Sequence, residues 1–280
     1  MPLTPAADIL AEARRAGHGV GAFNVIQIEH AEGITAGATA AGLPVILQVS
    51  ENTAAYHGAL APIAAACRAI AEAAAVPVAL HLDHATRPEL VTEAVELGFG
   101  SVMFDASALP YDENVAATAR VAARVHARGI HIEAELGEVG GKDGVHAPGA
   151  RTDPVEAAAY VAATGVDALA VAVGTSHAML TRDAMLDLDL IARLRAGVPV
   201  PLVLHGSSGV PDHGLAEAVR HGMTKINIAT HLNQAFTRAV RDRLAAGPEK
   251  VDPRGYLGAG RDAVAAAVEH LLILLKGESA

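Results

Sequence analysis

The chain has 280 residues, of which 51% are hydrophobic, a formal net charge of −10 and a single cysteine, Cys67. The length allows a large core, while the negative charge argues against a broad nucleic-acid or anionic-membrane surface. One cysteine excludes an intrachain disulfide and is compatible with a reducing compartment.

No export or membrane segment is evident in the sequence. Residues 1–12 contain acidic Asp8 and Glu12 and lack the apolar stretch of a signal peptide. No uncharged apolar run reaches the roughly 18 residues of a membrane span. We therefore expect a cytoplasmic protein that is not bound to a membrane.

Short apolar runs alternate with Ala-rich stretches of helical period along nearly the whole chain. The candidate strands are 19–24, 44–50, 77–83, 100–105, 130–135, 167–173, 201–205 and 223–228. Strands that alternate with helices through short loops favour a parallel sheet, and right-handed crossovers can close eight of them into a barrel. The pattern, with a length near the ~250 residues usual for that fold, predicts one α/β domain over 1–280, a (β/α)8 TIM barrel.

Helix boundaries are marked at several of the intervening stretches. Thr86, with Glu89 three residues later, predicts a capping box at a helix start. Asp153 followed by Pro154 predicts another start, and Gly165 the end of that helix. The segment 137–152 is long, Gly-rich and without a clear pattern, which is typical of a functional loop in a compact barrel.

Polar side chains occur at or just beyond the carboxyl end of every candidate strand. In chain order they are Asn24, Ser50, Asp83 with His84, Asp105, Glu135, His177, His205 and Asn227. Buried barrel strands are otherwise nearly all apolar, and the carboxyl ends of the strands form the active site of this fold. The pattern therefore predicts an active site at that end.

Three histidines at these ends suggest a metal centre. His84, His177 and His205 follow three different strands, and three imidazoles with an open position are a catalytic zinc arrangement. Each of them alone could equally be an ordinary core or loop histidine. On ligand type Cu or Fe is also open, although three histidines fit Zn²⁺ best.

Each carboxylate at the strand ends has more than one possible role. Asp83 fits a general acid/base beside a metal-bound substrate, or a helix N-cap. Asp105 and Glu135 fit partners of the histidines, an alternate metal position or a buried ion pair. His81 and Glu133 lie two residues before site residues and are expected on the same face, as core-layer or supporting residues.

Two segments could bind a phosphate group. Residues 205–209 form a Gly/Ser loop after the seventh strand, and 227–230 end the eighth strand and begin a helix. The phosphate site of this barrel usually lies there, where backbone N–H groups and a helix N-terminus meet an anion. A plain tight turn remains the alternative for the Gly/Ser loop.

The collected motifs resemble the class II, zinc-dependent fructose/tagatose-bisphosphate aldolases over nearly the whole chain. The matching segments are 22–24 (AFN), 81–84 (HLDH), 101–107 (SVMFDAS), 133–141 (EAELGEVGG), 152–177, 202–209 (LVLHGSSG), 225–230 (KINIAT) and 252–257 (DPRGYL). The resemblance implies a lyase that cleaves a phosphorylated ketose, with no nucleic-acid partner and a homodimeric or homotetrameric assembly.

The resemblance also implies roles for individual residues. It implies zinc ligation by His84, His177 and His205, with Asp105 and Glu135 able to hold the metal in an alternate place, and Asp83 as the acid/base at the C4 hydroxyl. Contacts to substrate are implied for Asn24, Ser50, Ala178, Gly206, Ser207, Ser208, Asn227, Ile228, Ala229, Thr230 and Arg254. The phosphate site of the family often also holds a monovalent cation, Na⁺ or K⁺, and the arginine is expected to reach the far phosphate in its own or a neighbouring subunit.

Three positions depart from the family pattern. Asp143 stands where the long loop usually has a catalytic glutamate, Ala178 replaces a glycine after His177, and Arg151 replaces a tyrosine. An aspartate is shorter by one methylene, and misplacement of a catalytic group by about 1 Å can cost ~10²-fold in rate. Asp143 is still expected to mediate protonation in the second half of the reaction.

The sequence leaves the identity of the substrate open. Residues 227–230 resemble the tagatose-bisphosphate branch, whereas 49–51 resemble short fructose-bisphosphate enzymes. Prior frequency favours fructose 1,6-bisphosphate, and another phosphorylated ketose or sugar acid is the alternative.

One rival mechanism and two rival functions also remain. A lysine Schiff base would need Lys225, the one lysine on a candidate strand. A metal-dependent hydrolase usually has an HxH motif on its first strand, which 19–25 lacks, and a non-catalytic metal-binding subunit would be expected to lose the histidines.

Overall fold

The computed structural model describes residues 3–137, 151–177 and 179–277. Eight parallel strands pair in sequence order and close into a barrel. They are β1 (Val20–Asn24), β2 (Val45–Ser50), β3 (Val78–Ala85), β4 (Ser101–Phe104), β5 (His131–Leu136), β6 (Ala168–Val171), β7 (Leu202–Leu204) and β8 (Met223–Ile228). The predicted (β/α)8 barrel is confirmed, and each strand falls at its predicted place.

Helices surround the barrel and close one end of it. They are α1 (Ala6–Ala16), α2 (Ile28–Ala41), α3 (Glu51–His57), α4 (Ala61–Ala73), α5 (Pro88–Glu96), α6 (Tyr111–His126), α7 (Pro154–Thr164), α8 (Leu188–Gly197), α9 (Asp212–His221), α10 (Thr230–Ala246) and α11 (Pro253–Lys276). Over the described ranges, none of these helices combines the length and the apolar composition needed to cross a bilayer.

The two faces of the strands have different side chains, as the two-residue period of a strand requires. One set of residues packs against the helices in a large apolar core. At the amino ends of the strands, Val20, Ala22, Ile46 and Ala79 form a separate cluster with α1. The interior beyond this plug contains Gln48, His81, Ser101, Glu133 and Lys225, all buried. The barrel is therefore sealed by apolar residues at one end and polar towards the other.

The predicted helix boundaries have mixed outcomes. Asp153 caps α7 by accepting from the backbone N–H groups of Val155 and Glu156, and Gly165 ends that helix in the left-handed conformation. The capping box at Thr86 is wrong, because α5 begins two residues later. The Thr86 backbone N–H and hydroxyl instead donate to Glu51, the first residue of α3, at 2.7 and 3.1 Å. A contact between the loop after β3 and the start of α3 therefore replaces the helix cap.

The end of β3 has an unusual backbone. His84 has a φ of +48° and is the one non-glycine residue of the described ranges with positive φ. The pairing of β3 with β4 shifts register between Leu82 and Ala85. In a regular strand two successive side chains point to opposite faces. The left-handed residue breaks this alternation, which explains how Asp83 and His84 both reach the mouth of the barrel.

We expect the backbone at His84 to store strain that a glycine would release. A non-glycine residue in this region costs about 1–2 kcal/mol. Metal-free H84G is therefore expected to be more stable than metal-free H84A by ~1 kcal/mol, equivalent to ~2–4 °C in Tm for a chain of this size. Thermal unfolding of the two variants measures the difference directly.

The same pair of substitutions at Thr86 is the matched control. Thr86 lies two residues away without positive φ, so T86A should be at least as stable as T86G. Equal stability of H84A and H84G would show that the left-handed conformation is not imposed on this residue.

Candidate active site

Four side chains at the mouth of the barrel bring metal-ligand atoms together. His84, Glu135, His177 and His205 each offer one ligand atom, and these four atoms all lie within 4.8 Å of one another. The ring centroid of His84 lies 5.1 Å from that of His177 and 4.6 Å from that of His205. The centroids of His177 and His205 are 5.7 Å apart. The three histidines predicted to converge from separate strand ends do so.

Carboxylates orient two of these histidines. Nδ1 of His84 lies 2.8 Å from Oδ2 of Asp105. His205 lies between two glutamates, with Nδ1 2.8 Å from Glu135 and Nε2 3.0 Å from Glu133. A carboxylate that binds the second nitrogen of a histidine fixes its tautomer and is the usual support of a metal-bound imidazole.

The buried charge of this region is strongly unbalanced. Among the described residues, the buried carboxyl groups are Asp83, Asp105, Glu133 and Glu135, and the one buried lysine or arginine is Lys225. Four carboxyl groups therefore face one ammonium group. Burying uncompensated charge is costly, so a site built of imidazoles and surplus carboxylates suits a divalent cation. The three imidazoles and the Glu135 carboxylate are donor groups that fit a divalent metal ion.

The pKa values reflect the same imbalance. Burial disfavours a charged His205, but its hydrogen bonds to Glu133 and Glu135 outweigh burial and raise the pKa of the ring to about 9. Burial likewise opposes ionisation of Glu133, yet Lys225 and His205 hold the pKa of that carboxyl well below its usual range. In the metal-free protein, positive charge therefore gathers on the His205 ring.

Asp83 is held beside the histidines by two amides. The side-chain amides of Asn24 and Asn227 donate to its two carboxylate oxygens at 2.9 and 3.3 Å. Burial opposes ionisation of Asp83, but its electrostatic interactions with His84 and Lys225 outweigh burial and hold the pKa of its carboxyl below its ordinary value. Asp83 does not cap a helix, because α5 starts at Pro88 with Arg87 at its N-cap. An ionised, fixed carboxylate at this place can accept a proton.

The loop after β7 contacts the start of α10. Gly206 adopts a left-handed conformation, and a β-carbon there would lie 2.6 Å from the carbonyl oxygen of Ser176. The Ser208 hydroxyl accepts from the backbone N–H groups of Ala229 and His231 at 3.3 and 3.2 Å. The two segments predicted to bind phosphate therefore form one continuous surface at the mouth of the barrel.

The other residues of this surface have different exposures. Ser207 is buried and donates to the carbonyl of Leu204 at 2.9 Å. Ile228 is 1% exposed within β8, whereas Thr230 is half-buried at the first position of α10. Backbone groups rather than the Ile228 side chain are thus available at this surface.

Ser50 and Arg254, two of the predicted substrate contacts, have other partners within the chain. Ser50 caps α3 by accepting from the backbone N–H of Thr53 at 3.2 Å, so its hydroxyl has a structural partner. Arg254 is 90% exposed and pairs with Asp252. Asp252 lies beside Leu244 and Gly247 at the far end of α10, roughly 25 Å along that helix from Thr230. Within one chain, Arg254 is therefore remote from the histidines.

Of the three positions that depart from the family pattern, Asp143 and Ala178 lie outside the described residues. Arg151 lies beside Gly174 in the loop after β6, with its Nε 3.8 Å from Asp187. Its guanidinium is thus near the mouth of the barrel.

Sequence reasoning missed one residue and misjudged another. Gln48 is fully buried and donates to Asn24 at 2.7 Å, which in turn holds Asp83. Lys225, considered only as a nucleophile, pairs with Glu133 at 2.7 Å beneath the histidines. Both precede a site residue by two positions, so the strand period that identified His81 and Glu133 could have found them.

Comparison with known proteins gives a consistent picture. The family described as fructose-bisphosphate aldolase class-II matches residues 4–279. A fructose-bisphosphate aldolase of Geobacillus stearothermophilus is 41% identical, covering 96% of this chain and 95% of its own, and one of Giardia intestinalis is 39% identical, covering 94% and 90%. The crystal structure of the YdjI aldolase of Escherichia coli K12 superposes with a TM-score of 0.87 at 31% identity, covering 99% of this chain and 98% of that one. The chain belongs to the class II fructose-bisphosphate aldolase family, whose members are metal-dependent lyases.

Proposed function

We propose that the protein catalyses the reversible cleavage of fructose 1,6-bisphosphate into dihydroxyacetone phosphate and glyceraldehyde 3-phosphate, with Zn²⁺ as its metal. The observation that carries the proposal is the convergence of three imidazoles and a glutamate within 4.8 Å. Neutral imidazoles with an open position favour zinc among the common divalent ions.

The metal would be held by His84, His177 and His205, with Asp105 and Glu135 as alternate or supporting ligands. Glu135 lies within the donor group, whereas Asp105 lies outside that group and contacts His84. When bound, the ion supplies Lewis-acid stabilisation of the negative charge that develops on the substrate oxygens as the carbon–carbon bond breaks. The orienting carboxylates keep the imidazoles in place for this task.

Asp83 acts as the base at the C4 hydroxyl. Its carboxylate is fixed by Asn24 and Asn227, and Gln48 holds Asn24 in turn. Proton removal from the C4 hydroxyl allows the C4 oxygen to form the aldehyde carbonyl as the C3–C4 bond breaks. Fixing the base in advance removes the entropic cost of positioning it in the transition state. We assign protonation of the other product to Asp143.

Phosphate binds at the Gly206–Ser208 loop and the start of α10. The N-terminus of this helix and its exposed N–H groups suit an anion. The side-chain carbonyl oxygen of Asn227 is buried with no hydrogen-bond partner among the described residues, which suits a substrate hydroxyl. A monovalent cation, Na⁺ or K⁺, would bind beside the phosphate.

A homodimer or homotetramer is consistent with the position of Arg254. Because Arg254 lies at the far end of α10 in its own chain, it would contact the second phosphate of the substrate in a neighbouring copy. Ala178 is assigned to the phosphate surface of the same chain through its backbone.

A lysine Schiff base is a poor alternative for this site. Lys225 is 1% exposed, and its ammonium group binds Glu133 at 2.7 Å and His81 at 3.2 Å. Attack on a carbonyl needs a free, accessible amine. A non-catalytic metal-binding subunit is also disfavoured, because the fixed carboxylate of Asp83 would serve no purpose in one.

Metal removal tests the proposed mechanism. EDTA is expected to abolish cleavage and Zn²⁺ to restore it, whereas borohydride added with substrate should leave activity intact. H177A should lose bound zinc and turnover together, measured by metal analysis and aldol cleavage. H213A, which changes an exposed histidine of α9, is the matched control and should keep both. Cleavage that survives EDTA and is lost with borohydride would contradict the zinc mechanism.

Replacement of Asp83 separates proton transfer from metal binding. D83N should lower kcat by about 10²–10⁴-fold, the usual contribution of a general base, with zinc content unchanged. D8N, at an exposed aspartate of α1 on the opposite end of the barrel, should behave as wild type. If D83N keeps more than about a tenth of the wild-type kcat, Asp83 is not the base.

The identity of the substrate is tested with the two C4 epimers. We expect kcat/KM to be higher for fructose 1,6-bisphosphate than for tagatose 1,6-bisphosphate, measured by coupled assay of the released triose phosphates. The reverse order would place the chain in the tagatose branch. Low rates on both would point to another phosphorylated ketose or sugar acid.

A further inference from the structure

A continuous hydrogen-bonded chain runs from β8 to the metal-ligand group. Nζ of Lys225 lies 2.7 Å from Oε2 of Glu133, and Oε1 of the same glutamate lies 3.0 Å from Nε2 of His205. On the other side of the ring, Nδ1 lies 2.8 Å from Glu135. All four residues are at most 1% exposed. Both nitrogens of one histidine are therefore assigned to defined partners in a dry environment.

The two sides of the ring have different neighbours. Glu135 belongs to the group of four ligand residues, whereas Glu133 does not. Nδ1 is thus the nitrogen of His205 on the metal side, and Nε2 points down into the barrel. A neutral ring that donates its Nε2 proton to Glu133 has its lone pair on Nδ1, which is the tautomer that a metal ion on that side needs.

Lys225 is held in place from a second direction. Its ammonium group donates to Nε2 of His81 at 3.2 Å, and Nδ1 of that ring lies 2.8 Å from the hydroxyl of Ser101. Because Nε2 of His81 accepts, Nδ1 carries the proton and donates to Ser101. The lysine therefore cannot swing away from Glu133 without breaking a buried contact.

We propose that Lys225 is a positioning residue, which acts through Glu133 to fix the His205 ring in the orientation and tautomer that present Nδ1 to the metal ion. The lysine balances the charge of a carboxylate that would otherwise be buried alone. Without it, Glu133 would be an isolated buried carboxylate, which is strongly disfavoured, so its side chain would turn away from its present position. That movement releases Nε2 of His205. The proposal rests on the metal site of the proposed function.

The substitution K225M tests the proposal with little change in side-chain size. Chelator competition should give a zinc affinity about 10- to 100-fold lower than wild type, the usual effect of losing a residue that supports a metal ligand. The visible absorption bands of the Co²⁺-loaded protein should also shift, because they report the geometry of the donor set. A lysine that serves only packing would lower Tm and leave both the affinity and the bands unchanged.

Two further variants make the result specific. The double variant K225M/E133Q removes both charges and keeps an acceptor for Nε2, so it should bind zinc several-fold more tightly than K225M alone. S101A is the matched control, because it cuts the same buried network on the side away from His205. Its zinc affinity and Co²⁺ bands should match those of wild type.

Each outcome decides the proposal. Wild-type affinity and bands in K225M, or an equal loss in K225M and S101A, would overturn it. If K225M does not fold, E133L replaces it, because leucine removes the acceptor for Nε2 of His205, and the same loss of affinity and band shift are expected. Failure of the wild-type protein to bind zinc would instead overturn the proposed function, so the two failures are distinguishable.

Discussion

Surplus negative charge inside the barrel is the constraint on which the site depends. Within the part of the chain that the structure describes, four buried carboxyl groups share the interior with one lysine. Such an arrangement is stable only if positive charge is supplied locally. The His205 ring, with its pKa raised to about 9, provides part of it in the metal-free protein. The divalent ion proposed between the imidazoles would provide more, and would place that charge where it can stabilise a developing oxyanion. The same excess of buried negative charge therefore bears on the stability of the folded protein and on the proposed binding of a catalytic metal ion.

The barrel fixes the positions of these charged side chains. The parallel strands place the side chains at one end, and the apolar cluster around α1 closes the other end to water. The left-handed residue at the end of β3 lets two successive side chains face the same site. Beneath them, Lys225 and Glu133 support His205 from inside the barrel. Strands, rather than loops, thus carry most of the described groups that would position the proposed metal ion and the proposed base.

Much of this arrangement follows from the sequence. Apolar runs of strand length gave all eight strands, and the polar residues at their ends identified the three histidines and Asp83. Details that depend on tertiary contacts did not follow. Thr86 satisfied the local rule for a helix cap but binds Glu51 instead, and the contact between Ser208 and the start of α10 joins residues far apart in the chain. The pairing of Lys225 with Glu133 likewise needs the closed barrel, because β5 and β8 are not neighbouring strands.

Anomalous X-ray diffraction from crystals of the zinc-loaded protein, measured on both sides of the zinc absorption edge, tests the central claim most directly. The account predicts one strong peak per chain, bounded by the rings of His84, His177 and His205. It also predicts that Nδ1 of His205 faces the peak and that Nε2 remains on Glu133. No peak among the three rings, or a peak bound by other residues, would contradict it.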